Sequence, residues 1–155
     1  MNISQITNNI YLGGLGFYTT DIIKNYLIEN NIKSIITIWD LKKLDIDKLN
    51  INKEDYLYIH AYDLDEEEII QYFDITYNFI KEKIKQNKKI LIHCFAGVSR
   101  SASIVINYLI TDNNISVEDA IKIVLKKRNI RPNSYFINQL KAYSGYYDRL
   151  RAIMQ

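Results

Sequence analysis

The chain has 155 residues, 48% of them hydrophobic and 25% charged, enough apolar content for one ordinary domain with its own core and not the composition of a disordered chain. Twenty basic residues face 18 acidic ones, a formal net charge of +2, too balanced for a nucleic-acid binder that works by electrostatics alone. One cysteine and two histidines exclude an intrachain disulfide and a four-ligand Cys/His zinc site, and one proline with five glycines excludes collagenous or proline-rich character.

In chain order, Met1-Asn2-Ile3-Ser4 lacks the basic stretch and apolar run of a signal peptide. Ile10-Tyr11-Leu12 reads as a short strand stopped by Gly13-Gly14. Thr20 or Asp21 is placed to cap a helix running to about Asn30. Ser34 to Trp39 is β-branched and aromatic, a buried strand. Asp40 to Asp55 is charged and loose, and Tyr56 to Ala61 is the next strand. Ile69, Phe73, Tyr77, Ile80 and Ile84 fall on one helical stripe. Lys89 to His93 is a strand built on Ile90, Leu91 and Ile92. A helix follows residue 100 and ends at Asp112-Asn113-Asn114. Another starts at the cap Ser116, and Pro132-Asn133-Ser134 opens the last. Strands separated by helices predict an α/β fold, a central, mostly parallel sheet flanked by helices on both faces. No apolar run approaches the ~20 residues needed to cross a bilayer, so a cytoplasmic or nuclear location is expected.

The informative stretch is His93-Cys94-Phe95-Ala96-Gly97-Val98-Ser99-Arg100-Ser101, which leaves a buried strand and opens a helix. In open α/β sheets ligands bind at that end of the strands. Gly97 and the small Ala96 and Ser99 let the backbone curl, and curled N–H groups at a helix start suit phosphate. Arg100 adds a planar fork for two phosphate oxygens. The helix N-terminus and the cation favour the thiolate of Cys94, and a thiolate beneath a bound phosphate is placed for in-line attack. A phosphate ester also needs its leaving oxygen protonated. Asp63, Asp65 and Asp74 are the candidates, of which Asp63 directly follows the strand ending at Ala61.

This stretch resembles the signature of cysteine-dependent protein phosphatases: His-Cys, five residues, Arg, then Ser or Thr. Ala-Gly-Val-Ser-Arg-Ser resembles the dual-specificity branch in particular. The likeness extends to Ile10-Tyr11-Leu12-Gly13, Asn31 to Ile36, Tyr72-Phe73, Phe79-Ile80, and Arg131-Pro132-Asn133 through Gln139-Leu140, about Ile6 to Leu150 in all. Trp39-Asp40 and the segment Leu41 to Asp55 depart from it. The resemblance implies a single catalytic domain, 1–155, with a protein tyrosine phosphatase-like fold and no cofactor or metal. It implies Cys94 as nucleophile, Arg100 and the loop Phe95, Ala96, Gly97, Val98 and Ser99 as the phosphate site, and Asp63 as general acid. Ser101 is expected to assist departure of the thiolate, and a buried His93 to brace the cysteine.

The implied partners are phosphoproteins, with no nucleic acid and no membrane. The rival readings are a phosphatase for lipid or RNA, and a phospho-reading pseudophosphatase. The uncharged Phe-Ala-Gly-Val-Ser speaks against the first, and the intact Cys94, Arg100 and Asp63 against the second. His60 is read as structural, Asn133 as a helix cap, Tyr143, Tyr146 and Tyr147 as packing and surface. Lys42-Lys43 and Lys126-Lys127-Arg128 are read as solvated basic faces.

Overall fold

The computed structural model describes residues 1–154. Five strands form one sheet: β1 (Ile3–Gln5), β2 (Ile10–Gly14), β3 (Ile32–Trp39), β4 (Tyr56–His60) and β5 (Lys89–Cys94), in the order β1-β2-β5-β3-β4. Every neighbouring pair is parallel except β1 with β2. The helices are α1 (Thr20–Glu29), α2 (Ile46–Leu49), α3 (Phe73–Lys85), α4 (Arg100–Asn113), α5 (Val117–Leu125) and α6 (Ser134–Met154), with 3-10 turns at Lys53–Asp55 and Ile69–Tyr72. The chain crosses the sheet one way from β2 through α1 to β3. It returns from β4 through α3 to β5. Right-handed crossovers running in opposite directions lie on opposite faces, so helices cover both sides of β5. α4 packs on β2, β3 and β5, and it is buried continuously from Arg100 to Ile110.

The expected mostly parallel α/β architecture is therefore observed, and the strand order reverses around β5, where such sheets bind ligands. Three local details differ from expectation. Gly13 and Gly14 do not stop the first predicted strand; they are its last two residues, paired with His93 and Cys94. A Cβ on Gly14 would lie 2.4 Å from the Ala96 carbonyl carbon, so glycine is what lets the signature loop cross over β2. The helix-start signal at Thr20 or Asp21 is one or two residues late, since Thr19 Oγ1 accepts the N–H of Ile22. The antiparallel edge strand β1 has no periodic signal, being only three residues long. Ser116 caps α5 as expected. No helix of the described residues is long and apolar enough to cross a membrane.

Replacing Gly14 by Ala should push the signature loop away from β2. Overpacking of this kind costs about 1–3 kcal/mol, and a shift near 1 Å costs roughly 10²-fold in turnover. Urea unfolding and phosphatase kinetics on Gly14→Ala check both effects.

Candidate active site

The signature loop is held from outside by its carbonyl groups. Leu15 N–H donates to Cys94 O at 3.1 Å and Gly16 N–H to Phe95 O at 3.1 Å. Ala96 O accepts from Asn2 Nδ2 at 3.1 Å and Arg128 Nη2 at 3.2 Å, and Gly97 O accepts from Arg128 Nε at 2.7 Å. Val98 O accepts from Arg131 N–H and Ser99 O from Ser103 N–H. With the carbonyls turned out and bonded, the loop N–H groups are turned in. Gly97 has φ +73°, and a Cβ there would meet the Gly13 carbonyl carbon at 2.4 Å. Cys94, 2% exposed, lies within this curl. Its Sγ accepts the Gly97 N–H at 3.2 Å and is 3.0 Å from Ser101 Oγ.

Arg100, the first residue of α4, reaches back under the same loop. Its Nη1 donates to Asp40 Oδ1 at 2.8 Å and to Ala61 O at 3.0 Å. Its Nε is buried without a hydrogen-bond partner among the described residues. Two acceptors thus fix one corner of the guanidinium, and the edge carrying Nε is left for an anion's oxygens. The hydrogen bond from Arg100 holds the Asp40 carboxyl below the usual carboxylate range.

Of the three acid candidates, the structure brings Asp63 to the loop. Its Oδ1 accepts Ser99 Oγ at 2.6 Å and Asn133 Nδ2 at 3.4 Å. Oδ2 makes no hydrogen bond among the described residues, which leaves it for a substrate. Asn133 caps α6 as expected, with Oδ1 accepting the N–H groups of Tyr135 and Phe136; its opposite end, Nδ2, donates to Asp63. Asp74 lies on α3 and accepts from Tyr143 and Tyr147, and Asp65 is exposed. A depression of about 290 Å³ lined by Asp63, Val98, Asn129 and Arg131 opens beside the loop.

His93, the residue before Cys94, is fully buried. Its Nδ1 is 3.2 Å from Cys94 O, and a carbonyl only accepts, so Nδ1 carries the proton. Nε2 then accepts from Thr37 Oγ1 at 2.6 Å, and Thr37 accepts from Tyr56 OH at 2.8 Å. Leu44 N–H closes the chain on Tyr56 OH. Burial pushes the His93 imidazole down to about 4, so it is a neutral brace for the Cys94 backbone and not a proton donor near neutrality.

The sequence profile of the dual specificity phosphatase catalytic domain matches residues 10–145. The chain belongs to the dual specificity phosphatase family. AMV078 of Amsacta moorei entomopoxvirus, named as a tyrosine-protein phosphatase, is 66% identical over 146 residues, 94% of this chain and 88% of that relative. The tyrosine-protein phosphatase yvh1 of Schizosaccharomyces pombe is 31% identical over 144 residues; this chain spans 92% of itself but only 41% of yvh1 in that match. Among solved structures, the PTP-2 phosphatase of Cydia pomonella superposes with a TM-score of 0.86 at 28% identity, covering 91% of this chain and 89% of that one. The family and the enzyme class implied by the Cys94 signature are thus borne out.

Sequence reasoning misplaced Arg128 and missed Asp40, Asn2 and Thr37. Arg128 is no solvated basic face: it is 9% exposed and makes four hydrogen bonds, all to neutral oxygens of Gly97, Ala96, Asn2 and Ser4. A signal existed, because the inward stripe Val117, Ala120, Val124 of α5 reaches position 128 after one more turn. Asp40 falls where the sequence departs from the family pattern, so no motif drew attention to it. His60 is exposed, its ring edge-on to Tyr62.

Arg128→Ala removes the donor of Gly97 O and one of two donors to Ala96 O. The fold should persist by circular dichroism while kcat/KM drops roughly 10²-fold, the usual consequence of a displaced reacting group. A second expectation concerns pH. An unfolded histidine titrates near 6.5 and the folded His93 near 4, so between those values the unfolded chain binds more protons. The stability from keeping His93 neutral is complete above about 6.5 and lost as pH falls toward 4, on the order of 3 kcal/mol in all. Urea unfolding across that window should show this slope in the native protein and a shallower one in His93→Gln.

Proposed function

We propose that the chain is a protein phosphatase that hydrolyses phosphotyrosine and phosphoserine/threonine through a cysteinyl-phosphate intermediate, acting as a single catalytic domain over 1–155. One observation carries the reading: a buried sulfur faces an N–H-lined curl, with the unpartnered Nε of a fixed guanidinium beside it. Its partners are phosphoproteins, met in the cytoplasm or nucleus, without nucleic acid or membrane. The family relatives named as tyrosine-protein phosphatases support this substrate class.

The reaction follows from the groups in place. The inward N–H groups of residues 95–100 and the free edge of Arg100 take the non-bridging phosphate oxygens. Cys94 Sγ attacks phosphorus, the bond from phosphorus to the ester oxygen breaks, and Asp63 delivers its proton to that oxygen from Oδ2. In the second step a water attacks the phosphocysteine and passes its proton to Asp63. The S–P bond breaks, inorganic phosphate leaves, and Ser101 Oγ at 3.0 Å donates to the departing thiolate. Nucleophile, acid and charge stabiliser are all side chains or backbone, so no step calls on a metal.

Cys94→Ser should keep the fold and bind phosphate but lose turnover, since a hydroxyl is scarcely ionised at neutral pH. Asp63→Asn should slow esters with poor leaving groups by roughly 10²–10⁴-fold and activated aryl esters much less. Steady-state kinetics over a series of aryl phosphates, with and without EDTA, tests the scheme. Near-normal turnover by Cys94→Ser would sink it, as would EDTA-sensitive activity restored by a divalent cation.

A further inference from the structure

We infer that Phe17, packed on Phe95, forms an aryl-binding wall at the mouth of the phosphate cradle and makes phosphotyrosine a better substrate than phosphothreonine or phosphoserine. The inference rests on the phosphatase reading above and narrows its substrate class.

β2 and β5 are parallel neighbours that end together, Gly14 beside Cys94, so the chain leaving β2 runs along the signature loop. Leu15 and Gly16 are tied to it through Cys94 O and Phe95 O. Phe95, the residue after the nucleophile, lies over Gly16; any Cβ there would meet its ring at 2.5 Å. Phe17 then packs against Phe95, ring centroids 5.1 Å apart at 74°. Despite that contact Phe17 remains 89% exposed, the highest value among the large hydrophobic side chains described. Scattered exposed apolar residues need no explanation, but Phe17 lies on the ring of the residue next to Cys94. Leu41, Tyr62 and Leu64 are also exposed, and they follow β3 and β4 at the same edge of the sheet. The chain after each of β2, β3 and β4 thus carries an exposed apolar side chain at the end of the sheet where Cys94 lies.

The floor cannot distinguish the esters, because each presents the same phosphate dianion to it. What differs is the stem. Phosphotyrosine hangs its phosphate from a flat ring, and phosphoserine and phosphothreonine from tetrahedral carbons. An aromatic wall continuous with the nucleophile's own neighbour rewards the flat stem, since a ring pair in edge-on or offset contact is worth roughly two- to tenfold beyond simple burial. Commitment to the phosphoryl-bearing residue itself, and not to a distant docking motif, follows from that continuity.

The test is the ratio of kcat/KM for two phosphopeptides that differ only in phosphotyrosine against phosphothreonine. The native ratio should exceed one. Phe17→Ala should lower it roughly fivefold, and Phe17→Tyr, which keeps the ring, should restore it. Because Phe17 contributes nothing to the interior, its removal opens no cavity. An unchanged ratio in Phe17→Ala, or a native ratio below one, overturns the inference while leaving the phosphatase reading in place. A native protein that hydrolyses neither peptide overturns both.

Discussion

The outward turn of the signature-loop carbonyls is the constraint on which the rest of the molecule depends. A curled loop can aim its N–H groups at a phosphate only if its C=O groups point the other way, and buried carbonyls need donors. Six consecutive carbonyls, Cys94 to Ser99, find them in five separate parts of the chain: the turn after β2, Asn2, Arg128, Arg131 and α4. These donors are spread along the chain from Asn2 to Arg131, so the cradle forms only when the sheet and the α5–α6 corner are in place. The loop is thus preorganised by the tertiary fold, and its N–H groups would need no rearrangement to meet an anion.

That requirement explains features that look unrelated in the sequence. Glycine at 14 permits the loop to pass over β2, and glycine at 97 permits its reversal. The short strand β1 gains a purpose beyond closing the sheet edge. Asn2 is bonded through both ends of its side chain, to Ala96 O and to Arg128, while its own carbonyl accepts the Gly14 N–H. The segment before β4 reaches the Cys94 backbone by another route, from Leu44 through Tyr56, Thr37 and His93.

What was legible in the sequence follows from how local each signal is. Strands β3 and β5 and helices α3 to α5 are written in runs and stripes that a single element contains. The Cys94-to-Ser101 loop is equally local, its residues being consecutive, whereas the place of Asp63 beside it rested mainly on the family resemblance, with Asp65 and Asp74 left as rivals. The supporting groups are not local. Arg128 lies 31 residues from Gly97, and Asn2 lies 94 from Ala96. Nothing around Arg128 distinguishes a buried brace from one more basic residue following Lys126 and Lys127. Asp40 was noticed only as a departure from the family pattern. Its bond to Arg100 depends on the ends of β3 and β5 lying side by side, which only the sheet register supplies.

The two edges of the sheet handle buried charge in opposite ways. At the amino edge, Asp55 accepts Lys83 at 3.0 Å and Lys88 at 2.8 Å, just before β4 and β5 begin. Burial would push the Asp55 carboxyl up, and the bonds from Lys88 and Lys83 outweigh it and hold the group below the usual carboxylate range. Buried ions of this kind persist because each is matched. At the carboxyl edge the matching is incomplete. Among the described residues Arg100 has one carboxylate, Asp40, and keeps its Nε unpaired, while Arg128 has only neutral acceptors. Burial lowers the proton affinity of Arg128, and the nearby Cys94 opposes that shift. An excess of positive charge held under a loop of inward N–H groups is costly in the free protein. An anion bound at the loop's centre would relieve it. The same burial that would destabilise an unpaired charge elsewhere here strengthens the attraction for an anion.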